Sequence, residues 1–449
     1  MKIVILGAGI RGFQIAKHLI SEHNDVVLIE PNPEQASFAS SKLDCIVING
    51  SGNSVDTLKE AGVADADFFI AMTDSDEVNM VACGIVSSEF DVPSKIACIR
   101  NLTYLDLKGL SGNVLGIDYI VNPEAEAART IYGIVEKGDF NEVITFEKSD
   151  LLFHNILISE DSRFVYKHVR TIRRYMHRYN FLITSVNRKS RVFIPSGDTE
   201  ILPDDIISVV SEEKGMDKIF RSLGHVKKKM KKGVIIGGSK TAWFLLKNFS
   251  PVTRSRFTLV DMDSEVCKRF ASQYPELLVI KSDVTDEVLY EDEDIGSYDI
   301  ILNLTDNDEL NIITAIYAKR IGVDRALALI KNNNNYLRLT PHLDIDSVVA
   351  VSRSTVSSVL RYIRGENYST VQTIFDGKVE ICEFTIQEDS SLIGKKIRDI
   401  SLKGRALIAA LTRDGRNIIP SGETGINAGD VVVVTAERAS VAFIQKIFS

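Results

Sequence analysis

Short, nearly all-apolar runs alternate with helical periodicity through the first part of the chain. Lys2–Gly7 (KIVILG), Asp25–Glu30 (DVVLIE), Cys45–Gly50 (CIVING), Phe68–Met72 (FFIAM) and Lys95–Arg100 (KIACIR) are the apolar runs. Gln14–Ser21, Asn32–Lys42 and Asn79–Glu89 lie between them with helical spacing. Strands without polar alternation are buried on both faces, so this pattern predicts a parallel sheet covered by helices. The pattern then changes. VITFEK (143–148), LISE (157–160), FLITSVN (181–187), FIPSG (193–197) and ISVVS (207–211) read as strands, with one helical segment near Val169–Arg178. This second stretch reads as a small α+β lobe.

The same order of patterns then recurs. KIVILGAGIRG (2–12) is echoed by KGVIIGGSKTA (232–242), and FFIAMTDSDEVNM (68–80) by DIILNLTDNDELNI (299–312). The string IPSGDT (194–199) returns as IPSGET (419–424). These matches are collinear at offsets of about 225–232 residues, which indicates tandem duplication. The predicted fold is therefore α/β, with two tandem Rossmann-like doubly wound N-lobes, each followed by a small α+β C-lobe. The expected bounds are 1–138, 139–226, 232–366 and 367–449. The basic run Lys227–Lys232 between the halves reads as a solvated linker, with phosphate or lipid contact as the alternative. Asn332–Asn335 reads as a loop.

Composition narrows the function classes. The 449 residues carry a net charge of −8, which gives no electrostatic reason to expect nucleic-acid binding. Hydrophobic content of 45% and charged content of 25% belong to globular domains. The five cysteines (Cys45, Cys83, Cys98, Cys267, Cys382) form no CxxC pair, so a reducing cytosol is expected and a disulfide framework is not. No apolar stretch approaches the ~20 residues needed to span a bilayer. The expected location is cytoplasmic, with any membrane link made through a partner.

Gly7-Ala8-Gly9-Ile10-Arg11-Gly12 is a GxGxxG turn that leaves a strand and opens a helix. Here the glycines allow a tight turn, phosphate approach at Gly9 and close helix packing at Gly12, while the helix N-terminus offers N–H groups and a positive dipole end. Glu30 ends the next strand, where a carboxylate accepts from ribose hydroxyls and disfavours a 2′-phosphate; a strand-end surface acid is the alternative. Thr73 and Asp74 end the fourth strand, across the switch-point crevice from the glycines, and Asp74 and Ser75 are also candidate helix caps. Arg100 ends the fifth strand on the same edge, facing a phosphate or an acidic residue. The turn at Gly50 borders an adenine or is a plain turn. In the second half, Gly237 keeps the first glycine, Ser239 replaces the second, Asp261 takes the ribose position and Thr305-Asp306 the strand end. That half binds a nucleotide more weakly, a different one, or none.

A dehydrogenase would need an acid/base beside the nicotinamide. His154, His168 and His177 lie in the first small lobe, and the second small lobe has no histidine. GxSxG and HExxH are absent. The leading expectation is a nucleotide sensor without turnover, with an NAD-dependent oxidoreductase as the alternative.

The string GAGIRG…IE…TDSDEVNMVAC, a strand ending in arginine and a lobe with an IPSG turn resemble the regulator of potassium conductance (RCK) domain. Two such pairs in one chain resemble the TrkA family, over essentially the whole length. That resemblance implies NAD(H) or ATP/ADP in the first N-lobe, held by Gly7–Arg11, Glu30, Thr73, Asp74 and Arg100. It also implies a homo-oligomeric ring, dimer or tetramer, that gates a TrkH- or TrkG-like multi-pass potassium transporter from the inner face of the membrane. A related regulator of another ion channel is the remaining variant. Four positions depart from the family pattern: Glu30 stands where Asp is usual, Cys98 where an arginine is common, Ser239 where Gly is usual, and Tyr166 aligns with Gly394, an altered turn.

Overall fold

The computed structural model describes residues 1–105, 115–137, 143–145, 151–176, 180–189, 191–222, 230–340, 343–364, 372–375, 378–402 and 404–448. His177 and Lys227–Lys229 lie outside these residues. The first N-lobe runs β1 (Lys2–Leu6), α1 (Ile10–Ser21), β2 (Asp25–Glu30), α2 (Pro33–Lys42), β3 (Ile46–Asn49), α3 (Val55–Glu60), β4 (Phe68–Ala71), α4 (Asp76–Glu89), β5 (Ser94–Cys98), α5 (Leu102–Leu105), β6 (Tyr119–Val121) and α6 (Pro123–Lys137). Its strands pair in parallel in the order β3-β2-β1-β4-β5-β6. Ile3 and Ile5 of β1 enter one core, and Val4 and Leu6 enter the core on the opposite face. Burial on both faces explains why polar alternation is missing from these strands. The order reverses direction between β1 and β4, so the crevice opens at their carboxyl ends.

The second N-lobe repeats the arrangement. Its strands Gly233–Ile236, Phe257–Asp261, Leu278–Lys281, Ile300–Asn303, Arg325–Ile330 and Ser347–Ala350 form a parallel sheet in the same order. Sequence neighbours do not simply become spatial neighbours. Met1–Tyr132 and Met230–Ile363 form one compact unit, and Gly133–Lys229 with Arg364–Ser449 form another. Within the first unit the helix Val351–Arg364, which follows the second sheet, packs on the first. Val356, Val359, Leu360 and Ile363 share a core with Ile3, Ile5 and Ile15. Tyr362 stacks on Tyr119 with ring centroids 4.3 Å apart, and the Tyr119 and Ser358 hydroxyls are 2.8 Å apart. In return, Tyr132 of α6 lies 5.6 Å from Phe249 of the second N-lobe.

Each C-lobe is a five-stranded antiparallel sheet. The first contains Val143–Thr145, Leu151–Leu157, Phe181–Arg188, Arg191–Phe193 and Ile206–Glu212. The strand expected at LISE instead ends at Leu157, and the one expected at FIPSG ends at Phe193. His154 and Asn155 break the apolar pattern of Leu151–Leu157, which hid it. The helical segment is Val169–Tyr175. Leu151, Phe153, Leu182 and Val210 share a core with Ile381, Ala409, Ala410 and Val433 of the other C-lobe. In each lobe a buried aspartate is clamped by an arginine fork. Asp205 takes Arg188 Nε and Nη2 at 2.8 Å each, and Asp430 takes Arg413 Nε and Nη2 at 2.8 and 2.7 Å.

The repeated IPSG[DE]T string is a side-chain-closed turn. The Ser196 N–H donates to Thr199 Oγ1 at 2.9 Å and that of Ser421 to Thr424 Oγ1 at 3.0 Å. The acid of each turn faces an arginine, Asp198 with Arg170 and Glu423 with Arg398.

The turn at Tyr166 is not altered in its backbone. Tyr166 adopts φ 56° and Gly394 φ 78°, and their N–H groups donate to Ile201 and Ile426 carbonyls at 2.8 and 2.9 Å. A residue with a Cβ is strained in this left-handed backbone conformation, which glycine takes freely. Tyr166→Gly is expected to raise stability by about 0.5–1 kcal/mol, read as a higher denaturation midpoint. Asn334 and Asn335, expected in a loop, begin a short 3-10 helix, Asn334–Arg338, capped by the Asn333 side chain.

Candidate functional site

The glycine turn is built by close approach. Gly7 sits at φ +102°, and a Cβ there would lie 3.0 Å from the Met72 carbonyl oxygen of the β4 end. A Cβ on Gly12 would come within 1.9 Å of Gly7 O, so the first turn of α1 is folded against the loop that feeds it. Gly9 is different. It is the N-cap of α1 with no side-chain cap, its backbone is extended (φ −61°, ψ 178°), and a Cβ there would meet nothing within 4 Å. The open space lies in front of the helix N-terminus, where an anion is favoured.

Glu30 lies almost wholly inside the protein. Its Oε2 accepts the Ala8 N–H at 2.7 Å and its Oε1 the Asn32 N–H at 2.9 Å. The carboxylate thus staples the glycine turn to the start of α2, and each oxygen retains a lone pair for a further donor. Asp261 makes the same staple in the second N-lobe, from Gly238 N at 2.6 Å and Asp263 N at 2.8 Å. Gly50 packs on Thr57, whose side chain would meet a Cβ at 2.7 Å.

Thr73 and Asp74 do different work. Thr73 is tied inward: its N–H and Oγ1 donate to Asn79 Oδ1 at 3.0 and 2.7 Å. Asn79 is fully buried, and its Nδ2 donates to Cys98 O at 2.8 Å and to Thr73 O at 3.3 Å. Ser75, not Asp74, caps α4 by accepting from Val78 N. Asp76 accepts the Arg100 N–H at 2.9 Å and the Asn101 N–H at 2.7 Å, fixing the loop after β5. Asn79 and Asp76 have equivalents in Asn311, which holds Thr305, and Asp308, which holds the N–H groups of Lys331, Asn332 and Asn333. Sequence reasoning assigned neither pair a role, although both residues recur in TDSDEVNM and TDNDELNI.

Asp74 faces solvent and holds two arginines through Oδ1, Arg100 Nη2 at 2.7 Å and Arg11 Nη2 at 3.3 Å. The Arg100 hydrogen bond, with help from Arg11, holds the Asp74 carboxyl below its ordinary value against the opposing effect of burial. Burial opposes the Arg100 charge most, but Asp74 and Cys98 together outweigh it and the guanidinium pKa is raised. Arg100 Nε is buried, and the guanidinium interacts with the Cys98 thiol as well as with Asp74. Burial pushes that thiol up. Lys240, from the second glycine turn, donates from Nζ to Arg100 O at 3.3 Å.

The second glycine turn is arranged otherwise. Gly237 keeps the left-handed φ of +96°. Ser239 occupies the N-cap, and its hydroxyl accepts the Ala242 N–H at 3.3 Å, an N–H that a bound phosphate would otherwise face. Asp306 pairs with Lys331 at 2.7 Å, and Lys331 Nζ also lies 3.9 Å from Glu124 Oε1 of the first N-lobe. Ser239→Ala is expected to cost about 1 kcal/mol through loss of this cap, measured by denaturant unfolding. Among the described residues no group of three or more His, Cys, Asp or Glu is placed to hold a metal. No helix among them is long and apolar enough to cross a membrane.

The TrkA-N domain family matches residues 3–123 and 233–351, and the TrkA-C domain family matches residues 153–224 and 381–449. The Trk system potassium uptake protein TrkA of Haemophilus influenzae is 30% identical over 454 residues, covering 100% of this chain and 98% of that protein. The protein of the same name from Azorhizobium caulinodans is 30% identical over 452 residues, covering 100% and 98%. Among solved structures, the GsuK RCK domain superposes with a TM-score of 0.56 at 17% identity, covering 100% of this chain and 94% of that one. The GsuK channel bound to NAD gives a TM-score of 0.56 at 18% identity, covering 100% and 78%. At this identity the two structures establish the shared fold.

Proposed function

The chain belongs to the TrkA family of tandem TrkA-N and TrkA-C domains, and from that premise we propose that it is the nucleotide-binding regulatory subunit of a Trk-type potassium-uptake system. Its four lobes are assigned to 1–138, 139–226, 232–366 and 367–449. The first N-lobe takes NAD(H) or ATP/ADP, and the chain works without catalytic turnover. It acts in the cytoplasm, as a homo-oligomer, on the inner face of the membrane through a multi-pass transporter subunit of the TrkH or TrkG kind. The observation that carries the reading is the open, side-chain-free N-terminus of α1 at Gly9, set on the crevice with Arg11 and Arg100.

The chemistry follows from the positions. The N–H groups of Gly9–Gly12 at the start of α1 face the phosphates, those of Gly7 and Ala8 being taken by Ile29 O and Glu30, and Glu30 keeps lone pairs for ribose hydroxyls while bracing the turn. Gly50 and Thr73 shape the crevice walls. The second turn, with Gly237, Ser239, Asp261, Thr305 and Asp306, is the weaker or unused site, because its cap hydroxyl already takes an N–H group. A nucleotide biases the partner only by binding one conformation of the assembly more tightly than the other.

Calorimetric titration of the full chain with NAD, NADH, ATP and ADP, alongside native mass measurement, tests the reading. One strong site per chain and a defined oligomer support it. No binding by any of the four, or NAD-dependent turnover of a defined substrate, contradicts it.

A further inference from the structure

The arginines at the first crevice have a resident anion. Asp74 Oδ1 accepts from both Arg11 and Arg100, yet its side chain is 90% exposed, and the two arginines are its only hydrogen-bond partners among the described residues. Its backbone neighbours are fixed without it: Thr73 is held by Asn79, Ser75 caps α4, and Asp76 holds the Arg100 and Asn101 N–H groups. The carboxylate is thus free of any structural duty that the adjoining residues do not already perform. The arginine side chains by contrast are largely enclosed, at 18% and 26% exposure. Lys240 adds a third cation at the Arg100 carbonyl. In the second N-lobe Asp306 meets one cation, Lys331, and the neighbouring carboxylate is Glu124.

We infer that Asp74 is an internal counter-anion that occupies Arg11 and Arg100 in place of a ligand phosphate, and that it sets which phosphorylated ligand the first N-lobe accepts. The inference rests on the reading of that lobe as a nucleotide site. An entering phosphate competes with the carboxylate for the two Nη2 groups and for the arginine charge, and the two anions repel when both are present. The competition weakens every anionic ligand, and it sorts them by charge. A triphosphate, which gains most from the guanidiniums, is affected most; the diester pyrophosphate of NAD, anchored chiefly by the glycine turn, is affected least. Asp74 is a positioning residue acting through the two arginines, and not a direct contact to the nucleotide. Its own sequence position suggested ligand contact, and its exposed geometry assigns it the opposite sign.

Isothermal titration of the full chain and its Asp74→Asn variant with ATP, ADP, NAD and inorganic pyrophosphate decides the matter. Asp74→Asn is expected to bind ATP and pyrophosphate roughly three- to tenfold more tightly, with a smaller gain for NAD and a steeper loss of affinity with salt. Asp74→Glu is expected to restore the wild-type order, and Asp74→Ser serves as a second charge-removing variant should the amide disturb the fold. A merely structural role would shift all four ligands equally. Equal or weaker binding of ATP by both charge-removing variants, with NAD binding intact in the wild type, overturns the inference and leaves the nucleotide reading standing. Absence of any titration in the folded wild type and variants overturns both.

Discussion

Replacing Gly9 by Asp is expected to weaken nucleotide binding at the first N-lobe by roughly a hundredfold or more, while leaving the fold as stable as before. The separation of the two effects comes from local geometry. Gly9 has extended backbone angles that any residue adopts, and a Cβ there meets no protein atom within 4 Å. Aspartate is moreover a favoured N-cap residue, so the helix gains a cap where it has none. The same carboxylate stands where a phosphate would approach, adding bulk and like charge. Unchanged affinity by calorimetry would show that the phosphates lie elsewhere. A drop in the thermal midpoint comparable to a core mutation would show that the open space has been misjudged.

Asn79→Leu carries the largest expected cost in stability, about 3 kcal/mol. The substitution keeps the four-heavy-atom branched skeleton and removes no volume, so the penalty is not a cavity. It arises because the Thr73 N–H and the Cys98 carbonyl lose their partner, and the Thr73 hydroxyl loses one of its two acceptors. Asn79 ties the end of β4 to the end of β5, so the ligand edge loosens with it. Denaturant unfolding should show the loss, and Asn311→Leu should match it in the second N-lobe, where Asn311 bridges Thr305 and Leu329 O in the same way. A loss below about 1 kcal/mol in both would mean that water replaces the amide.

The parallel sheets were legible because their strands bury both faces, which leaves an unmistakable run of apolar residues. The duplication was legible from repeated turns. The strand Leu151–Leu157 was not, because His154 and Asn155 interrupt its apolar sequence. The packing of Val351–Arg364 on the other N-lobe was also hidden. An amphipathic helix shows which face it buries but not against which of two near-identical sheets. The string TDSDEVNM read as a ligand edge, whereas most of its polar letters serve the backbone. Thr73 and Asn79 bond each other, Asp76 holds the Arg100 loop, and Ser75 caps α4. Composition and spacing locate such residues, but three-dimensional partners decide their roles. Ser239 illustrates this: its hydroxyl serves its own helix by accepting the Ala242 N–H.

The most direct test of the central claim is potassium flux through the membrane subunit of the same uptake system, reconstituted in vesicles with the full chain on the cytoplasmic side. Flux is expected to change when NAD, NADH, ATP or ADP is added, and Gly9→Asp to abolish this response while the chain still associates with its partner. Flux that is the same with and without every nucleotide, in the presence of stably associated wild-type chain, would contradict it.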